Sequence, residues 1–373
     1  MNFLIVSHVK HTQKDKSIYG YGPYVKEMNL WLKYVDNARV IAPMTPDEPN
    51  PIDLAYGHES LLFDAVPSFN LIGLRSKLIT LMLMPYIFIK IMIAMAWADH
   101  IHLRCPGNMG LLGAIAQILF PWKEKTVKYA GNWDPKSKQP LSYRVQKWIV
   151  SNTLLSKNIK VLVYGKWPDQ SQNIIEFFTA SYLESEKIEL SARNIDAEIK
   201  LVFVGALSAG KRPLIAVQTL HSLVKQGVEA RLDLMGEGAQ RELLENYIKE
   251  NKLTSYVTLH GNQTADFVKE KLQSAHFLIL MSQSEGWPKV VAEAMFWGCL
   301  PLTTNVSCVN YMIGEGNRGA LVEANSESVV EAINSYMSKP GLYMQASLNA
   351  IQWSREFTLE SFEDAIKEIL NGK

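Results

Sequence analysis

The sequence predicts an α/β protein built from two halves, each a doubly wound parallel sheet with helices on both faces. Short strands rich in Val, Ile and Leu alternate with longer helical segments, a pattern typical of parallel sheets. The alternation breaks at residues 181–198, where Ser, Glu and Lys prevail with little apolar periodicity, which indicates a linker. A chain of 373 residues is long enough for two domains with separate cores.

The first half, residues 1–180, begins with a buried-strand pattern and continues with a helix predicted over residues 24–34. A strongly apolar segment, residues 71–98, follows later in this half. The predicted strands are residues 3–7, 38–42, 101–104, 126–130 and 161–164.

The second half, residues 199–352, repeats the alternation more regularly, so we expect a second parallel sheet. Its predicted strands are residues 199–204, 231–235, 257–259, 276–281 and 300–304. Residues 353–373 form the last segment, which carries an amphipathic helix over residues 359–370.

Two interpretations of residues 71–98 stay open. Arg75, Lys77, Pro85 and Lys90 interrupt the segment, and its longest uncharged piece, residues 78–89, is too short to span a bilayer. It forms either one or two buried helices or a monotopic membrane contact. In the second case, the basic residues meet anionic lipid while Leu, Met, Ile and Phe enter the interface.

Charge and cysteine content exclude several classes of protein. The formal net charge is +1 and no basic stripe dominates, so the sequence does not indicate a nucleic-acid partner. The three cysteines lack Cys-x-x-Cys spacing, which argues against a disulfide framework or a structural zinc site and favours a reducing cytoplasm. The first strand has no charged segment before it, so we expect no signal peptide.

Residues 284–298 carry the most informative motif. A strand at residues 276–281 leads into a Gly-containing turn, Pro288 occupies the predicted first helical position, and Gly298 ends the helix. This unit directs the helix N-terminus, with its N–H groups and positive dipole end, beyond the carboxyl edge of the strand. The sequence therefore predicts an anion site there, suited to phosphate.

Two carboxylates frame this predicted anion site. Glu285 lies in the loop at the helix mouth, and Glu293 follows on the helix after seven intervening residues. One acid can therefore reach hydroxyls of a ligand at the mouth while the other reaches hydroxyls farther back, as a sugar nucleotide requires.

The Glu-x7-Glu spacing, with Gly-x-Pro after the first Glu and Gly-Cys-Leu-Pro-Leu after the helix, resembles family 4 retaining glycosyltransferases (glycosyl transferases group 1) of the GT-B fold. The runs at residues 202–205, 211–213, 234–238 and 257–261 follow in that family's order, and the resemblance is specific over about residues 199–335. It implies two Rossmann-like domains with an inter-domain cleft and a C-terminal helix that crosses back towards the first domain.

The resemblance also implies roles for individual residues. Glu285 would lie beside the donor sugar, Glu293 would bond the ribose hydroxyls, and Lys211 would neutralise the nucleotide diphosphate. Trp287 either contributes to the donor site or packs under the loop. The other residues predicted to bind the donor are Gly22, Gly205, Arg212, His260, Gly261, Asn262, Gly286, Pro288 and Lys289.

The chain departs from the family pattern at one position. Ala206 stands directly after Gly205, where the family usually carries an arginine. A fixed cation near a departing diphosphate lowers the barrier to transfer. We therefore expect Arg212, or Arg104 in the first half, to replace the missing charge, and we count Arg104 with Lys211 and Glu285 among the catalytic candidates.

Residues 128–134 are polar and aromatic at a predicted strand end. Asn132, Trp133 and Asp134 would suit acceptor sugar binding, although a plain turn explains the same residues.

These features together predict a retaining glycosyltransferase that moves a sugar from a nucleotide-diphosphate donor to a glycan or lipid-linked acceptor. The resemblance implies no metal or other cofactor, because in GT-B enzymes of this kind lysine, arginine and the helix dipole supply the neutralising charge. We expect a cytoplasmic protein, with the inner face of the cytoplasmic membrane as its place if residues 71–98 touch lipid. Two alternatives share the fold: a sugar-nucleotide epimerase, and a non-catalytic sugar-nucleotide-binding subunit.

Overall fold

The computed structural model describes residues 1–50, 52–68, 74–190, 193–195 and 198–371, with no side-chain placement for residues 74–81. The chain divides into two compact units. The first comprises residues 1–178 together with the C-terminal residues from 362, and the second comprises residues 179–361.

The first unit is built on a seven-stranded parallel sheet. Its elements are β1 (Asn2–Val6), β2 (His11–Lys14), β3 (Ser17–Tyr21), α1 (Gly22–Leu32), β4 (Asn37–Pro43), β5 (Asp53–Ala55), β6 (Leu61–Val66), α2 (Leu74–Trp97), β7 (His100–Cys105), α3 (Asn108–Ala116), β8 (Glu124–Tyr129), α4 (Leu141–Ser151), β9 (Ile159–Tyr164) and β10 (Ile174–Phe177). The strand order in the sheet is β10-β9-β8-β7-β1-β4-β6. The strand order changes direction between β7 and β1, which places a crevice at the carboxyl ends of these two strands.

A small antiparallel sheet of β2, β3 and β5 lies within the same unit. The sequence did not predict it, because these strands are short and mostly polar and give no clear apolar alternation. Strands β6 and β10, at the two edges of the large sheet, were also not predicted.

Helix α2 accounts for most of the apolar segment at residues 71–98. It is a single helix of 24 residues with Pro85 inside it. Ile87 and Ile91 are fully buried against the sheet, whereas Met82 and Ile93 are 84% and 58% exposed. The predicted core helix is thus present, and it also turns apolar side chains outward. Arg75 and Lys77 lie outside the residues with described side chains, and none of the described helices is long and apolar enough to cross a bilayer.

Two buried histidines lie in the centre of the first unit. The His100 Nε2 and His102 Nδ1 atoms lie 3.0 and 2.9 Å from the Thr126 hydroxyl oxygen, and each forms a hydrogen bond with it. The ring of Phe3 stacks on His100. Burial, with a smaller effect of nearby lysines, lowers the pKa of His100 to about 4, so the ring stays neutral in the folded protein.

We expect the free energy of unfolding to fall as the pH drops from about 6.5 towards 4. In that window the unfolded chain binds a proton at His100, whereas the folded protein does not. One such histidine lowers the free energy of unfolding by about 2 kcal/mol between pH 7 and pH 5. Urea unfolding across this range measures the loss. His100→Phe, which retains a ring for Phe3 to stack on, should flatten the pH dependence by about one proton. An unchanged pH slope in this variant would contradict the assignment.

The second unit is built on a six-stranded parallel sheet. Its elements are β11 (Ile199–Val204), α5 (Pro213–Lys225), β12 (Ala230–Met235), α6 (Arg241–Glu250), β13 (Val257–Gly261), α7 (Ala265–Ser274), β14 (Phe277–Leu280), α8 (Lys289–Phe296), β15 (Leu300–Thr303), α9 (Val309–Ile313), β16 (Ala320–Leu321), α10 (Ser326–Ser338) and α11 (Pro340–Ser354). The strand order in the sheet is β13-β12-β11-β14-β15-β16. All five strands predicted in this half are present.

The final helix, α12 (Leu359–Leu370), begins in the second unit, where the Leu359 amide donates to the Tyr182 carbonyl at 2.9 Å. Its later residues belong to the first unit. There Phe362 is buried against Phe177, and the Lys160 ammonium donates to the Ile369 carbonyl at 3.1 Å.

Candidate functional site

An ion pair joins the carboxyl ends of the two strands at which the second sheet changes direction. Lys211 lies in the loop after β11, Glu285 lies in the loop after β14, and the Lys211 ammonium donates to Glu285 Oε1. Strand β11 is hydrogen-bonded to both β12 and β14, so the topological switch point falls between β11 and β14. Ligands of open α/β sheets bind at this position.

The two loops that carry this pair are fixed to each other and to the rest of the unit. The Gln283 amide donates to the Gly210 carbonyl at 2.9 Å, which joins the loops directly. Beyond Glu285, the Gly286 carbonyl accepts from the Ser307 hydroxyl and the Cys308 thiol, each at 3.1 Å. The pKa of Cys308 is about 12, raised chiefly by burial, so the thiol keeps the proton that it donates.

Helix α8 begins at Lys289, one residue later than predicted, because Pro288 is its N-cap residue. Gly298 follows the helix with φ +69°, in the left-handed region that favours glycine, as expected of a residue that ends a helix. Trp287 is 7% exposed and stacks on Trp353 with the ring centroids 6.2 Å apart. Its ring therefore packs under the loop, which was one of the two open interpretations.

Glu293 lies on α8, farther from the loop than Glu285, and contacts the start of the second unit. The Ser181 hydroxyl donates to Glu293 Oε1 at 2.5 Å. Burial, with a smaller effect of the Glu293 charge, raises the pKa of Tyr182 above its ordinary value. The carboxylate is half-buried, so it is both anchored and accessible.

Close backbone contacts shape the loops after β11 and β12. A Cβ at Gly236 would lie 2.0 Å from the Gly205 carbonyl oxygen, and one at Gly238 would lie 2.5 Å from the Leu207 carbonyl oxygen. Both glycines also have positive φ, so a side chain at either position would force the two loops apart. The two glycines at positions 236 and 238 therefore keep the loop after Gly205 against the sheet edge.

Most of the second unit is similar to a known protein family. Residues 185–353 match the family model described as glycosyl transferases group 1. This stretch, a little under half of the chain, is similar to members of that family.

Curated relatives agree with the family model. A poly(glycerol-phosphate) alpha-glucosyltransferase of Bacillus subtilis is 25% identical over 189 residues, which cover 50% of this chain and 28% of that protein. An uncharacterised glycosyltransferase of Haemophilus influenzae is 30% identical over 172 residues, covering 46% of this chain and 48% of the other. The matched segment thus spans about half or less of the length of these relatives.

Solved structures extend the likeness to both units. HepE of Anabaena, crystallised with UDP and glucose, superposes with a TM-score of 0.70 at 14% identity, with both chains covered completely. WaaG, a glycosyltransferase involved in lipopolysaccharide biosynthesis, gives a TM-score of 0.65 at 15% identity, again over both chains. The chain therefore has the GT-B fold, with two parallel-sheet α/β domains, which confirms the fold predicted from the sequence.

In the second unit, the ring of His260 is engaged within the protein. Its Nε2 atom bonds the Asp233 carboxylate, to which the Lys271 ammonium also donates at 3.1 Å. Gly261 accepts from the Gly236 amide at 2.8 Å, and Asn262 is exposed beyond it. Donor binding by these three residues stays a prediction, and for His260 it would have to involve the backbone or the remaining ring edge.

Two arginines were predicted to replace the family arginine missing at Ala206. Arg212 is the N-cap residue of α5 in a left-handed conformation, and its Nη1 atom donates to the Met281 carbonyl at 3.4 Å. This places it beside the loop that carries Glu285.

Arg104 lies in the first unit, at the end of β7 and at that unit's own switch-point crevice. Its Nη1 atom is 3.7 Å from the Glu27 carboxylate, and its guanidinium lies 4.9 Å from the centre of the Tyr24 ring. Burial, together with the Arg104 charge, lowers the pKa of His8, which follows β1 at the same crevice. The structure thus surrounds Arg104 with titratable groups of its own unit.

Gly22 and the predicted acceptor residues also lie in the first unit. A Cβ at Gly22 would lie 2.2 Å from the Ile52 carbonyl oxygen, so packing alone accounts for this glycine.

The predicted acceptor residues form contacts within the protein. Trp133 is 1% exposed and donates to Gln170, while Asn132 accepts from the Asp134 amide at 2.8 Å within a turn. These bonds favour the plain turn, and acceptor binding here stays a prediction.

Sequence reasoning missed the residues that hold the site residues in place. Ser181 contacts Glu293, Ser307 contacts Gly286, and Glu27 faces Arg104. No local pattern marks them, because each contact joins residues far apart in the chain. No group of three or more potential metal ligands comes together in the described part of the chain.

Proposed function

We propose that the chain transfers a glycosyl group from a nucleotide-diphosphate sugar to an acceptor hydroxyl with retention of configuration. The observation that carries the proposal is the Lys211–Glu285 pair at the switch point, directly before the N-terminus of α8. An ammonium and a helix N-terminus together suit a diphosphate, and a carboxylate beside them suits sugar hydroxyls.

In the proposed reaction the bond between the anomeric carbon and the donor phosphate oxygen breaks while the acceptor oxygen bonds to the same face of that carbon. The acceptor proton passes to the departing phosphate oxygen. Lys211 and the first-turn amides of α8 stabilise the negative charge that develops on the leaving group. We propose no metal for this step. The carboxylate of Glu285 positions both Lys211 and the donor sugar.

We also propose a glycan or lipid-linked acceptor and a place at the cytoplasmic face of the membrane. The three cysteines support a reducing compartment, since Cys105, Cys299 and Cys308 are all free and buried. UDP sugars are the first donors to try, because the fold is shared with a protein that binds UDP and glucose.

Incubation with a panel of nucleotide sugars, with and without glycan and lipid-linked acceptors, tests the proposal. Release of the nucleoside diphosphate supports a transferase. Formation of a new sugar nucleotide would instead identify an epimerase. Binding without turnover would identify a non-catalytic subunit. The observation that favours this alternative is the exposed Ala206 at the position where the family usually carries an arginine.

Glu293→Ala should raise the donor KM by about tenfold to a hundredfold, equivalent to the loss of about 1.5 to 3 kcal/mol from hydrogen bonds between a carboxylate and the ribose. Steady-state kinetics with varied donor measures the change. Ser181→Ala serves as the control, because it removes the internal partner of Glu293 and leaves the carboxylate. If both variants lower the melting temperature and neither changes the donor KM, Glu293 only anchors Ser181.

A further inference from the structure

Helix α4 turns an apolar stripe to solvent. Leu141, Val145 and Trp148 are 72%, 37% and 60% exposed, and their spacing places them on one side of the helix. The opposite side, which includes Ile149 and Val150, is buried. The stripe therefore contributes little to the core of the first unit, and its apolar surface faces water.

The neighbouring helices also expose apolar side chains. Helices α2 and α4 both pack against α3, so the three helices form one layer on the sheet. Further exposed apolar side chains on these helices and on the turns that follow α3 and α4 are Met82, Tyr86, Ile89, Ile93, Ile115, Leu119, Trp122 and Leu154. Single exposed apolar residues are ordinary, but a set concentrated on one layer indicates an interaction surface.

The segment of the sequence that contains α4 carries charge of only one sign. Between residues 135 and 168 the sequence has no Asp or Glu, although the formal charge of the whole chain is only +1. The nearest acids along the chain are Asp134 and Asp169. The basic residues of this segment are Lys136, Lys138, Arg144, Lys147, Lys157, Lys160 and Lys166. Arg144 lies within the apolar stripe of α4 and is itself exposed.

We propose that the outer face of α4, centred on Leu141, Arg144, Val145 and Trp148, docks on an anionic lipid bilayer. Tryptophan and leucine enter the interface between head groups and acyl chains, while lysine and arginine remain with the anionic head groups. A second copy of this chain is a poor occupant, because it would bring one basic segment against another. A negatively charged bilayer complements both properties of the surface at once.

This surface differs from the membrane contact considered for residues 71–98, because it is centred on α4 and its exposed basic residue Arg144. The two helices share one layer, so α2 can contact the same bilayer. The proposal does not depend on sugar transfer, because docking requires only the outer face of α4. Its failure would leave the proposed reaction untouched.

Co-sedimentation of the full chain with vesicles tests the proposal, using phosphatidylcholine alone and phosphatidylcholine mixed with phosphatidylglycerol. We expect binding to the anionic vesicles, weaker binding to the neutral ones, and release as salt rises because screening shortens the reach of the basic residues. Trp148→Ser and Arg144→Glu should each weaken binding by about tenfold, since each removes or reverses one contact of interfacial strength.

Matched control variants are available on the exposed surface of α6 in the second unit. Leu243→Ser and Lys249→Glu change an exposed leucine and an exposed lysine outside the proposed surface and should bind vesicles like the unaltered protein. Circular dichroism and hydrolysis of a soluble donor confirm that each variant is folded. The proposal is wrong if the protein does not bind anionic vesicles, or if it binds neutral vesicles equally well. It is also wrong if the α4 variants bind like the unaltered protein. A dimer that dissociates in Trp148→Ser would assign the surface to a second copy of this chain instead.

Discussion

Replacing Lys211 with methionine should lower kcat for sugar transfer by about a hundredfold to a thousandfold, the usual cost of losing one charge that stabilises a transition state. Methionine keeps much of the length of the side chain and removes the charge. The donor KM should change less, because the leaving diphosphate carries more negative charge in the transition state than in the bound donor. Steady-state kinetics on the best donor from the panel measures both constants.

The structure supplies a reason for the size of this effect. Lys211 is held by the Glu285 carboxylate and by the joined loops after β11 and β14, so the ammonium is fixed before the donor arrives. A fixed charge avoids the reorganisation that a mobile lysine would need. Lys225→Met, at the exposed end of α5 in the same unit, is the control and should turn over normally. Equal kcat values for Lys211→Met and the unaltered protein would remove Lys211 from the mechanism.

The sequence placed Lys211 and Glu285 in the same predicted donor site, but it did not predict their ion pair. Each residue follows a strand of a parallel sheet, and the carboxyl ends of parallel strands share one edge. Local patterns give the strands, and the family resemblance gives the two residues. The ion pair itself depends on the pairing of β11 with β14, which the structure shows.

Other parts of the site depend on contacts that no local pattern encodes. Ser181 and Glu293 lie 112 residues apart in the chain, and the Ser181 segment appeared in the sequence only as a polar linker. Trp133 stands in a polar run that suggested a surface loop, yet its ring packs edge-on against Tyr129 with the centroids 4.6 Å apart. Burial of a single aromatic residue is decided by tertiary packing, which the neighbouring sequence does not determine.

One of Arg104 and Arg212 should supply the second cation that the family places at position 206. Replacing the true partner with methionine should lower kcat by about tenfold to a thousandfold, because a lysine and a helix dipole offset the charge of a departing diphosphate only in part. The other variant should turn over normally once its stability is taken into account. Kinetics and thermal melting of both variants separate the two candidates.

Stability needs its own control because both arginines have structural contacts. Arg104→Met removes a cation 3.7 Å from the buried Glu27 carboxylate, which should lower the melting temperature. The double variant Arg104→Met with Glu27→Gln removes that charge and should recover stability without recovering kcat if Arg104 acts on the leaving group. Arg212→Met loses only a long bond of 3.4 Å to the Met281 carbonyl.

Adding an arginine at position 206 completes the test. Ala206 is exposed, so an arginine side chain at this position can extend into solvent without displacing the core. Ala206→Arg should partly restore kcat in the variant that lost the true partner, because it returns a cation to the family's position, and it should leave the other variant unchanged. If both methionine variants turn over normally, no cation was relocated, and Lys211 with the amides of α8 is sufficient.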